Sequence, residues 1–377
     1  MKNTAGVNNA LIVGGGIGGM SAAISLRRLG IEVDLIDLDP QWRVYGAGIT
    51  ITGPTLRAFK MLGILEEVMR HAYTGNGIRV CAMDGSLIRE LPTPMPPDSD
   101  VPGSGGIMRP VLHKILSNTV LSLDVKVRLG LTVATLSERA RAVEVRFTDG
   151  SEARYDMVVG ADGVFSRVRE LLFPAAPRPE YTGQSCWRLA VPRPVPIDRR
   201  HYFLGGPVKV GLSPVSPTQM YLFLLENRAT KDWIAEPRLP VELGRLLAPY
   251  GGVLRELCAT LDAKSAIVFR PLEAMFLPQP WHSGRTLLIG DAAHPTTPQL
   301  ASGAGMAVED ALVLAEEMQH ARSVQECYEA FIERRYERCR LVVQNSLEIG
   351  RREQSGASVA AQTELVEQSL RALAAPI

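Results

Sequence analysis

The stretch "ALIVGGGIGGMSAAISLRRLGIEVDLIDLD" (residues 10–39) decides the fold class of this chain. The apolar run Ala10–Val13 predicts a buried parallel strand, and Met20–Leu29 predicts a helix. Gly30 is placed to end that helix as a C-cap glycine. A second strand is predicted over Glu32–Leu38. The order strand, helix, strand predicts an α/β fold that begins with a Rossmann-like unit.

Three glycines between the first strand and the helix form a G-x-G-x-x-G pattern. Gly14 permits the tight turn, Gly16 lets the backbone approach a pyrophosphate, and Gly19 allows close packing of helix on strand. Phosphate groups would meet unpaired N–H groups here, including that of Ile17, and the positive end of the helix. Asp37 can accept hydrogen bonds from ribose hydroxyls. The unit alone does not separate FAD from NAD.

The rest of the chain departs from a nicotinamide dehydrogenase, which would usually continue as alternating strands and helices. Its later motifs are "QWRVYGAGITITGP" (41–54), "YDMVVGADGVFSR" (155–167) and "GRTLLIGDAAHPTTPQLASGAGMAVEDA" (284–311). In this order they resemble the group A flavoprotein monooxygenases, the single-component FAD-dependent aromatic hydroxylases related to para-hydroxybenzoate, salicylate and urate hydroxylases. The resemblance spans about residues 9–340.

The resemblance implies a bound FAD, NAD(P)H as a transient co-substrate, and O2. It implies that the protein hydroxylates an aromatic or heteroaromatic small molecule through a flavin C4a-hydroperoxide. A non-oxygenating FAD oxidoreductase and an FAD-bound binding protein stay open as alternatives. Epoxidation or Baeyer–Villiger oxidation could use the same hydroperoxide. The sequence identifies neither the substrate nor the choice between NADH and NADPH.

Carried over by motif, the resemblance also implies the cofactor site. The glycine pattern and Asp37 hold the ADP half of FAD, Asp162 belongs to a DG motif linked to FAD and nicotinamide, and Asp291 binds ribityl and ribose hydroxyls. The other implied cofactor positions are Arg43, Ala47, Arg109, Val133, Ser302, Gly303 and Ala304. Many relatives have G-Q-G where this chain has Ala301-Ser302-Gly303, so the substrate class does not transfer.

The segment after residue 284 is expected to form a wall of the flavin pocket. A strand over Thr286–Ile289 would deliver Asp291 to its carboxyl end, where ligands of such sheets bind. Pro295 and Pro298 stiffen the next turn, and Pro298 is assigned to the catalytic centre. A helix beginning near Gly303 would direct its positive end at the flavin N1–C2 oxygen and favour the reduced flavin.

The substrate site is predicted around the strand-like run "YTGQSCWRLAVP" (181–192). Alternation places Trp187 and Arg188 on opposite faces of the sheet. Either Trp187 belongs to the core and Arg188 to the protein surface, or Arg188 enters the pocket as a catalytic-site residue that anchors a carboxylate or ionised hydroxyl. The predicted pocket comprises Trp187, Arg188, Tyr202, Tyr221, Phe223, Pro295 and Leu300.

The predicted organisation is a discontinuous FAD-binding domain with a smaller mixed β-sheet substrate domain and a long C-terminal helix. The FAD-binding domain comprises residues 1–75, 100–175 and 280–345, and includes a hairpin at Asp149-Gly150. The substrate domain comprises residues 76–99 and 176–279. A long packed helix is expected from Val324, followed by a C-terminal helical tail at 346–377. Residues 91–106 are expected to form a loop.

Composition excludes several other classes of protein. The chain has 377 residues, 46% of them apolar, with 41 basic against 40 acidic side chains, which argues against a nucleic-acid binder. Five cysteines without CxxC and six histidines without HExxH predict no metal site and a reduced, cytoplasmic protein.

His294 is expected to position its turn rather than transfer protons. The uncharged run 10–26 is glycine-rich, so no membrane span is expected. The partner is an aromatic small molecule, and the protein a monomer or homodimer.

Overall fold

The computed structural model describes residues 4–44, 46–93, 95, 100–356 and 358–377, with the backbone alone at 359–362. Its strands, β1 to β19 in chain order, are Asn9–Val13, Glu32–Asp37, Gly48–Thr52, Tyr73–Gly75, Ile78–Ala82, Leu87–Leu91, Ser104–Met108, Lys126–Leu129, Val133–Arg139, Ala142–Phe147, Glu152–Tyr155, Met157–Gly160, Glu180–Pro192, Arg200–Leu204, Lys209–Pro214, Gln219–Asn227, Ile267–Ala274, His282–Ser283 and Thr286–Leu288.

The α-helices, α1 to α10, are Ile17–Arg28, Gly53–Met61, Leu65–His71, Arg109–Ser122, Arg167–Leu172, Leu239–Leu247, Gly252–Ala259, Gly303–His320, Val324–Gln354 and Val359–Ala374. Short 3-10 turns lie at Glu236–Arg238, Gly290–Ala292 and Pro298–Leu300. Among the described residues, no helix is both long enough and apolar enough to cross a membrane. All five cysteines are unpaired thiols, four of them buried.

A six-stranded sheet in the order β18-β19-β12-β1-β2-β8 carries the predicted opening unit. Strands β19, β12, β1, β2 and β8 run parallel, and their carboxyl ends meet at one edge. Residues 10–13 of β1 are almost entirely buried. They are uniformly apolar because this central strand is covered on both faces, as in other parallel sheets. The predicted α/β fold with a Rossmann-like unit is confirmed.

The seven-stranded sheet in the order β17-β13-β16-β15-β14-β5-β6 faces that edge. Strand β14 pairs with β5 in parallel and the other pairs are antiparallel, which gives the predicted mixed sheet. One face packs on α6 and α7, where Trp187, Leu222 and Leu224 join a cluster of leucines. The other face carries Arg188 and Phe223 toward the first sheet. Period-two alternation therefore separates a dry core from a cavity wall.

Element boundaries differ from the predicted ones at several places. Helix α1 begins at Ile17 rather than Met20, because the last glycines of the motif are already helical. Helix α9 continues unbroken to Gln354, so the predicted domain boundary at 345/346 lies inside a helix. The predicted loop 91–106 ends at Ser104, where β7 begins, and its residues 94 and 96–99 lie outside the described residues. The predicted hairpin at Asp149-Gly150 joins β10 to β11.

A buried ion cluster joins α8 to α9 beneath the cofactor side of the fold. Arg335 Nε donates to Asp310 Oδ1 and its Nη1 donates to Glu309 Oε2, both at 2.8 Å. Arg338 also donates twice to the Glu309 carboxylate, at 2.7 and 2.9 Å. The side chains of Arg335 and Glu309 are 1% exposed and that of Asp310 is 0% exposed. Removing one partner would leave a buried charge unpaired, so the cluster fixes how the two helices dock.

We expect Arg335→Met to lower the free energy of unfolding by about 3–5 kcal/mol, because Glu309 and Asp310 each lose one of their two buried cationic partners. Denaturant unfolding of the FAD-free protein measures this loss. The matched control is Arg340→Met on the same helix, whose exposed pair with Glu337 should change stability by roughly 0.5 kcal/mol or less. Equal stability of the two variants would contradict the role given to the cluster.

Candidate FAD and substrate site

A cavity of about 390 Å³ lies between the carboxyl edge of the six-stranded sheet and the inner face of the seven-stranded sheet. Its lining includes these predicted site residues: Gly16, Ile17, Arg109, Arg188, Tyr202, Tyr221, Phe223, Asp291, Pro298, Ser302, Gly303 and Ala304. They come from segments far apart in sequence. The fold therefore gathers most of the predicted positions around one space.

The first glycine turn opens onto this cavity. A Cβ at Gly14 would lie 2.4 Å from the carbonyl oxygen of Ala161, and one at Gly19 would lie 1.8 Å from that of Gly14. Gly16 is different, since a Cβ there would meet nothing within 4 Å. Helix α1 has no side-chain cap at its N-terminus, so its first N–H groups are free for an anion. Two glycines thus serve packing, and Gly16 faces the cavity.

Asp37 is held at the end of β2. Its Oδ2 accepts a hydrogen bond from the Gly15 N–H at 2.7 Å, and its Oδ1 accepts one from the Asp39 N–H at 2.8 Å. Each carboxylate oxygen retains further acceptor capacity. The carboxylate is fixed beside the glycine turn, where ribose hydroxyls could donate to it.

Helix α8 presents a second uncapped N-terminus to the same cavity. Ser302, Gly303 and Ala304 line the space, and the Ser302 hydroxyl donates backward to the Leu300 carbonyl at 2.8 Å instead of capping the helix. Ala301 precedes them with φ +50°, in the left-handed region that glycine adopts at least cost. The first position of the Ala301-Ser302-Gly303 turn therefore has a glycine-like backbone.

The turn after β19 is fixed from below by Asp310. Its Oδ2 accepts hydrogen bonds from the Gly290 N–H at 2.8 Å and from His294 Nε2 at 2.7 Å. Burial alone would lower the pKa of His294, but neighbouring Cys339 and Asp310 raise it well above its usual value. The imidazolium is therefore a buried counter-ion that holds the turn carrying Asp291 against the cavity.

His294, Asp310 and Cys339 are residue types that can bind a metal ion, but in this cluster an arginine takes the place of the metal. Donor atoms of His294, Asp310 and Cys339 lie within 4.8 Å of one another. However, Arg335 also donates to Asp310 and lies beside Cys339, at 3.6 Å from the sulfur. A guanidinium at that place supplies the positive charge that a cation would otherwise bring. The cluster is an ion-pair network of the protein itself.

Arg109 and Asp291 oppose each other across the cofactor side of the cavity. Burial lowers the pKa of Arg109 to about 10, with repulsion from Arg188 adding to the effect and Asp291 opposing it. The protein atoms packed around Asp291 raise its pKa, which His294 and Arg109 partly offset, although its side chain is exposed to the cavity. The Arg109 Nε is buried without a hydrogen-bond partner among the described residues. An unused donor and an accessible carboxylate suit a polar ligand in this part of the cavity.

The roof of the cavity carries Arg188 amid aromatic side chains. Tyr202 and Phe223 make an edge contact with ring centroids 5.6 Å apart, and the Tyr221 hydroxyl lies 2.7 Å from that of Thr50. Arg188 has no carboxylate partner among the described residues; the Cys186 thiol raises its pKa, burial opposes this, and the Tyr221 hydroxyl adds to the rise. A guanidinium without a counter-ion therefore faces the cavity.

Several predicted site residues lie elsewhere. Trp187 is fully buried in the core of the seven-stranded sheet, where its Nε1 donates to Glu226 at 2.9 Å, so it does not line the pocket. Val133 also lies in the core at 1% exposure, because β9 turns it inward. Leu300 lines a neighbouring cavity, and the buried Pro295 accepts a backbone hydrogen bond from Met275. These placements follow from strand alternation and close packing.

Three further cofactor positions support the site from outside its lining. The Asp162 carboxylate accepts hydrogen bonds from Ser166 Oγ and from the Val168 N–H, so it caps α5. Burial raises the pKa of Asp162. The buried Ala47 accepts a backbone hydrogen bond from Arg109 at 3.0 Å. Arg43 is half-exposed and pairs with Asp39 at 3.0 Å.

Sequence reasoning missed a polar group at the far end of the cavity. Lys209 Nζ donates to Glu353 Oε1 at 2.6 Å, and Gln299 Nε2 donates to Glu353 Oε2 at 3.2 Å. Lys209 begins β15 and Glu353 lies near the end of α9, so no local pattern links them. The one local indication in the sequence is Lys209 itself, which stands directly before the apolar run "VGL" (210–212) and so interrupts an otherwise apolar strand.

Comparisons with known proteins agree with this geometry. The family model described as "FAD binding domain" matches residues 8–347. The chain belongs to this family. It is 32% identical over 352 residues to the putative FAD-dependent monooxygenase YetM of Bacillus subtilis, covering 93% of this chain and 95% of the relative. It is 31% identical over 309 residues to 2-heptyl-3-hydroxy-4(1H)-quinolone synthase of Pseudomonas aeruginosa, covering 81% and 79%.

A solved structure shares the whole fold. Klebsiella pneumoniae HpxO complexed with FAD and uric acid superposes with a TM-score of 0.85 at 23% identity, over 99% of this chain and 97% of that one. At this identity, the similarity shows the fold. Together with the family match, it confirms the resemblance to FAD-dependent hydroxylases that the three motifs predict, and FAD as the cofactor.

The side chains and turns of the cavity fit that cofactor. The open Gly16 turn and the free N–H groups of α1 suit the pyrophosphate, while the unpartnered Arg109 Nε and Asp291 suit its polar groups. The uncapped start of α8 suits a flavin oxygen that gains negative charge. These backbone and side-chain groups would hold FAD by hydrogen bonds and would offset the negative charge of its pyrophosphate.

We expect Asp291→Ala to raise the dissociation constant for FAD by roughly 10- to 100-fold, since a charge-assisted hydrogen bond is worth roughly 1.5–3 kcal/mol. Titration of the apoprotein with FAD, followed by flavin fluorescence, measures the change. Asp84→Ala is the control, because Asp84 caps an exposed turn away from the cavity. Unchanged FAD affinity in Asp291→Ala would place the cofactor elsewhere.

Proposed function

We propose that this protein is an FAD-dependent monooxygenase that uses NAD(P)H and O2 to hydroxylate an anionic aromatic or heteroaromatic small molecule. The observation that carries the anionic class is Arg188. Its side chain lines the cavity, is partly buried, and has no carboxylate partner among the described residues. A partly desolvated cation without a counter-ion favours an anion beside it, and an anionic substrate would supply the missing charge.

Arg188 has a second consequence for reactivity. A cation next to a phenolic or enolic hydroxyl lowers the pKa of that hydroxyl and stabilises its ionised form. Ionisation makes the ring more electron-rich, which favours attack by an electrophilic oxygen donor. The planar guanidinium would also orient the ring by paired hydrogen bonds. Tyr221 and Phe223 would form the walls against which the ring packs.

The cofactor supplies the electron transfer and oxygen activation when it is bound. The chain supplies position and electrostatics. Free N–H groups at the start of α8 would stabilise negative charge on the flavin, and Asp291 and Arg109 would fix its orientation. The seven-stranded sheet covers the cavity and limits access of water, which protects a reactive oxygen donor from unproductive breakdown.

The names of two compared proteins support a heteroaromatic substrate. One names a hydroxyquinolone and the other contains uric acid, both of which are nitrogen-containing rings. We further propose that residues 76–99 and 176–279 form the substrate-side domain. A cytoplasmic location and a monomeric or homodimeric state remain predictions.

The first test is a panel of phenols, hydroxypyridines and purines, scored by stimulated NAD(P)H oxidation with the holoenzyme. We expect Arg188→Ala to keep bound FAD but to lose stimulation by the active compound at least tenfold, or to divert the electrons into hydrogen peroxide. Arg188→Lys should recover part of the stimulation, because it retains the charge without the planar fork.

The matched control is Arg270→Ala. Arg270 lies on the adjacent strand β17 opposite Cys186, is exposed, and packs over Trp233 outside the cavity. Its removal should leave stimulation and coupling unchanged. Parental substrate affinity and coupling in Arg188→Ala would contradict the proposed role of this arginine.

A further inference from the structure

A second cavity lies against the first one. It has a volume of about 150 Å³ and is framed by strands β5 and β14 and by helices α9 and α10. One side of its wall is aliphatic, formed by Ile78, Val80, Leu204, Ile349, Val366 and Leu370, while Arg89, Arg200 and Lys209 also reach its lining. Apolar cavities of about this size can hold a benzene-sized group. The second cavity therefore has the size and chemistry for a hydrocarbon substituent rather than for a second polar ring.

The boundary between the two cavities is formed by residues that line both of them. These are Tyr202, Lys209, Gln299 and Ala301. Lys209 forms an ion pair with Glu353 at 2.6 Å, and Gln299 Nε2 donates to both Glu353 and Gln184, so these side chains form a polar neck between the two cavities. The Gln299 Oε1 is buried without a partner among the described residues, although it sits at this boundary. A ligand that crosses the boundary could use that acceptor.

The wall of the second cavity depends on a part of the chain that the family match does not include. The match ends at residue 347, whereas Ile349, Val366 and Leu370 lie beyond it. The cofactor side, from Gly16 to Ala304, lies wholly inside it. The part of the chain that the family model covers thus lines the cofactor side, and the end of α9 together with α10 completes the neighbouring space. Such a division is suited to substrate selection.

We propose that the substrate carries an apolar substituent of about six carbons, which occupies the second cavity while its ionised ring faces Arg188. This inference rests on the proposed function and specifies its substrate class. A substrate whose ring lies in the first cavity and whose alkyl substituent passes Lys209 would fill both adjoining cavities. The substituent would also cover the aliphatic side chains of the second cavity.

Binding of 4-alkylphenols with ethyl to octyl chains tests this without any turnover. The probe is titrated into the oxidised holoenzyme in a calorimeter, with no NAD(P)H present. We expect the dissociation constant to fall roughly three- to fourfold for each added methylene up to about six carbons, and then to level off. A dissociation constant independent of chain length, or no binding by any of these phenols, would overturn the proposal.

Filling the second cavity supplies the specific test. Val366→Trp should remove the dependence on chain length while changing the affinity for 4-ethylphenol less than twofold. Val241→Trp is the control, because this exposed valine of α6 lies outside both cavities, and it should keep the parental dependence. An unchanged dependence in Val366→Trp would refute the assignment. If that variant does not fold, Leu370→Phe should shorten the favourable range by several carbons, and an unshortened range would refute the assignment equally.

Failure of this inference and failure of the proposed function give different results. Arg188→Ala should weaken every phenol by a similar factor and leave the dependence on chain length intact, because it acts on the ring end. If no compound of any class stimulates NAD(P)H oxidation, the monooxygenase proposal fails, while the calorimetric series still reports on the second cavity.

Discussion

The carboxylate of Asp310 is the constraint on which the cofactor side of the fold depends. One oxygen accepts from the Gly290 N–H and His294, and the other accepts from Arg335. The first oxygen fixes the turn that carries Asp291, and the second ties α8 to α9. Burial by itself would raise the pKa of Asp310, but His294 and Arg335 more than offset this and lower it. The aspartate stays charged, and the flavin-facing turn is held without any ligand.

The two halves of the cavity above Asp310 have different functions. The cofactor half is built of backbone N–H groups, small residues and a few fixed charges, because FAD must approach the chain closely. The substrate half is built on a sheet whose outer face is a conventional leucine core and whose inner face is aromatic and cationic. Strand alternation alone separates Trp187 from Arg188, so a single strand β13 serves both stability and recognition.

The parts readable from the sequence are those in which local chemistry dictates the geometry. The G-x-G-x-x-G turn follows from Gly14 and Gly19, where any side chain would clash with backbone, and the strand before Asp291 follows from its apolar run. Contacts between distant segments were not readable. Glu353 meets Lys209 across 144 positions, and nothing near either residue signals the other. The inward turn of Val133 and the α5-capping role of Asp162 likewise depend on neighbours supplied by the folded chain.

The central claim is that oxygen from O2 enters a ring bound beneath Arg188, and isotope labelling tests it most directly. The holoenzyme is supplied with NAD(P)H, an active compound from the panel and 18O2 in unlabelled water. The mass of the product is then measured by mass spectrometry. The account predicts a product that carries one 18O atom, formed in proportion to the NAD(P)H consumed. A product with unlabelled oxygen, or consumption of NAD(P)H that yields only hydrogen peroxide with every compound tested, would contradict it.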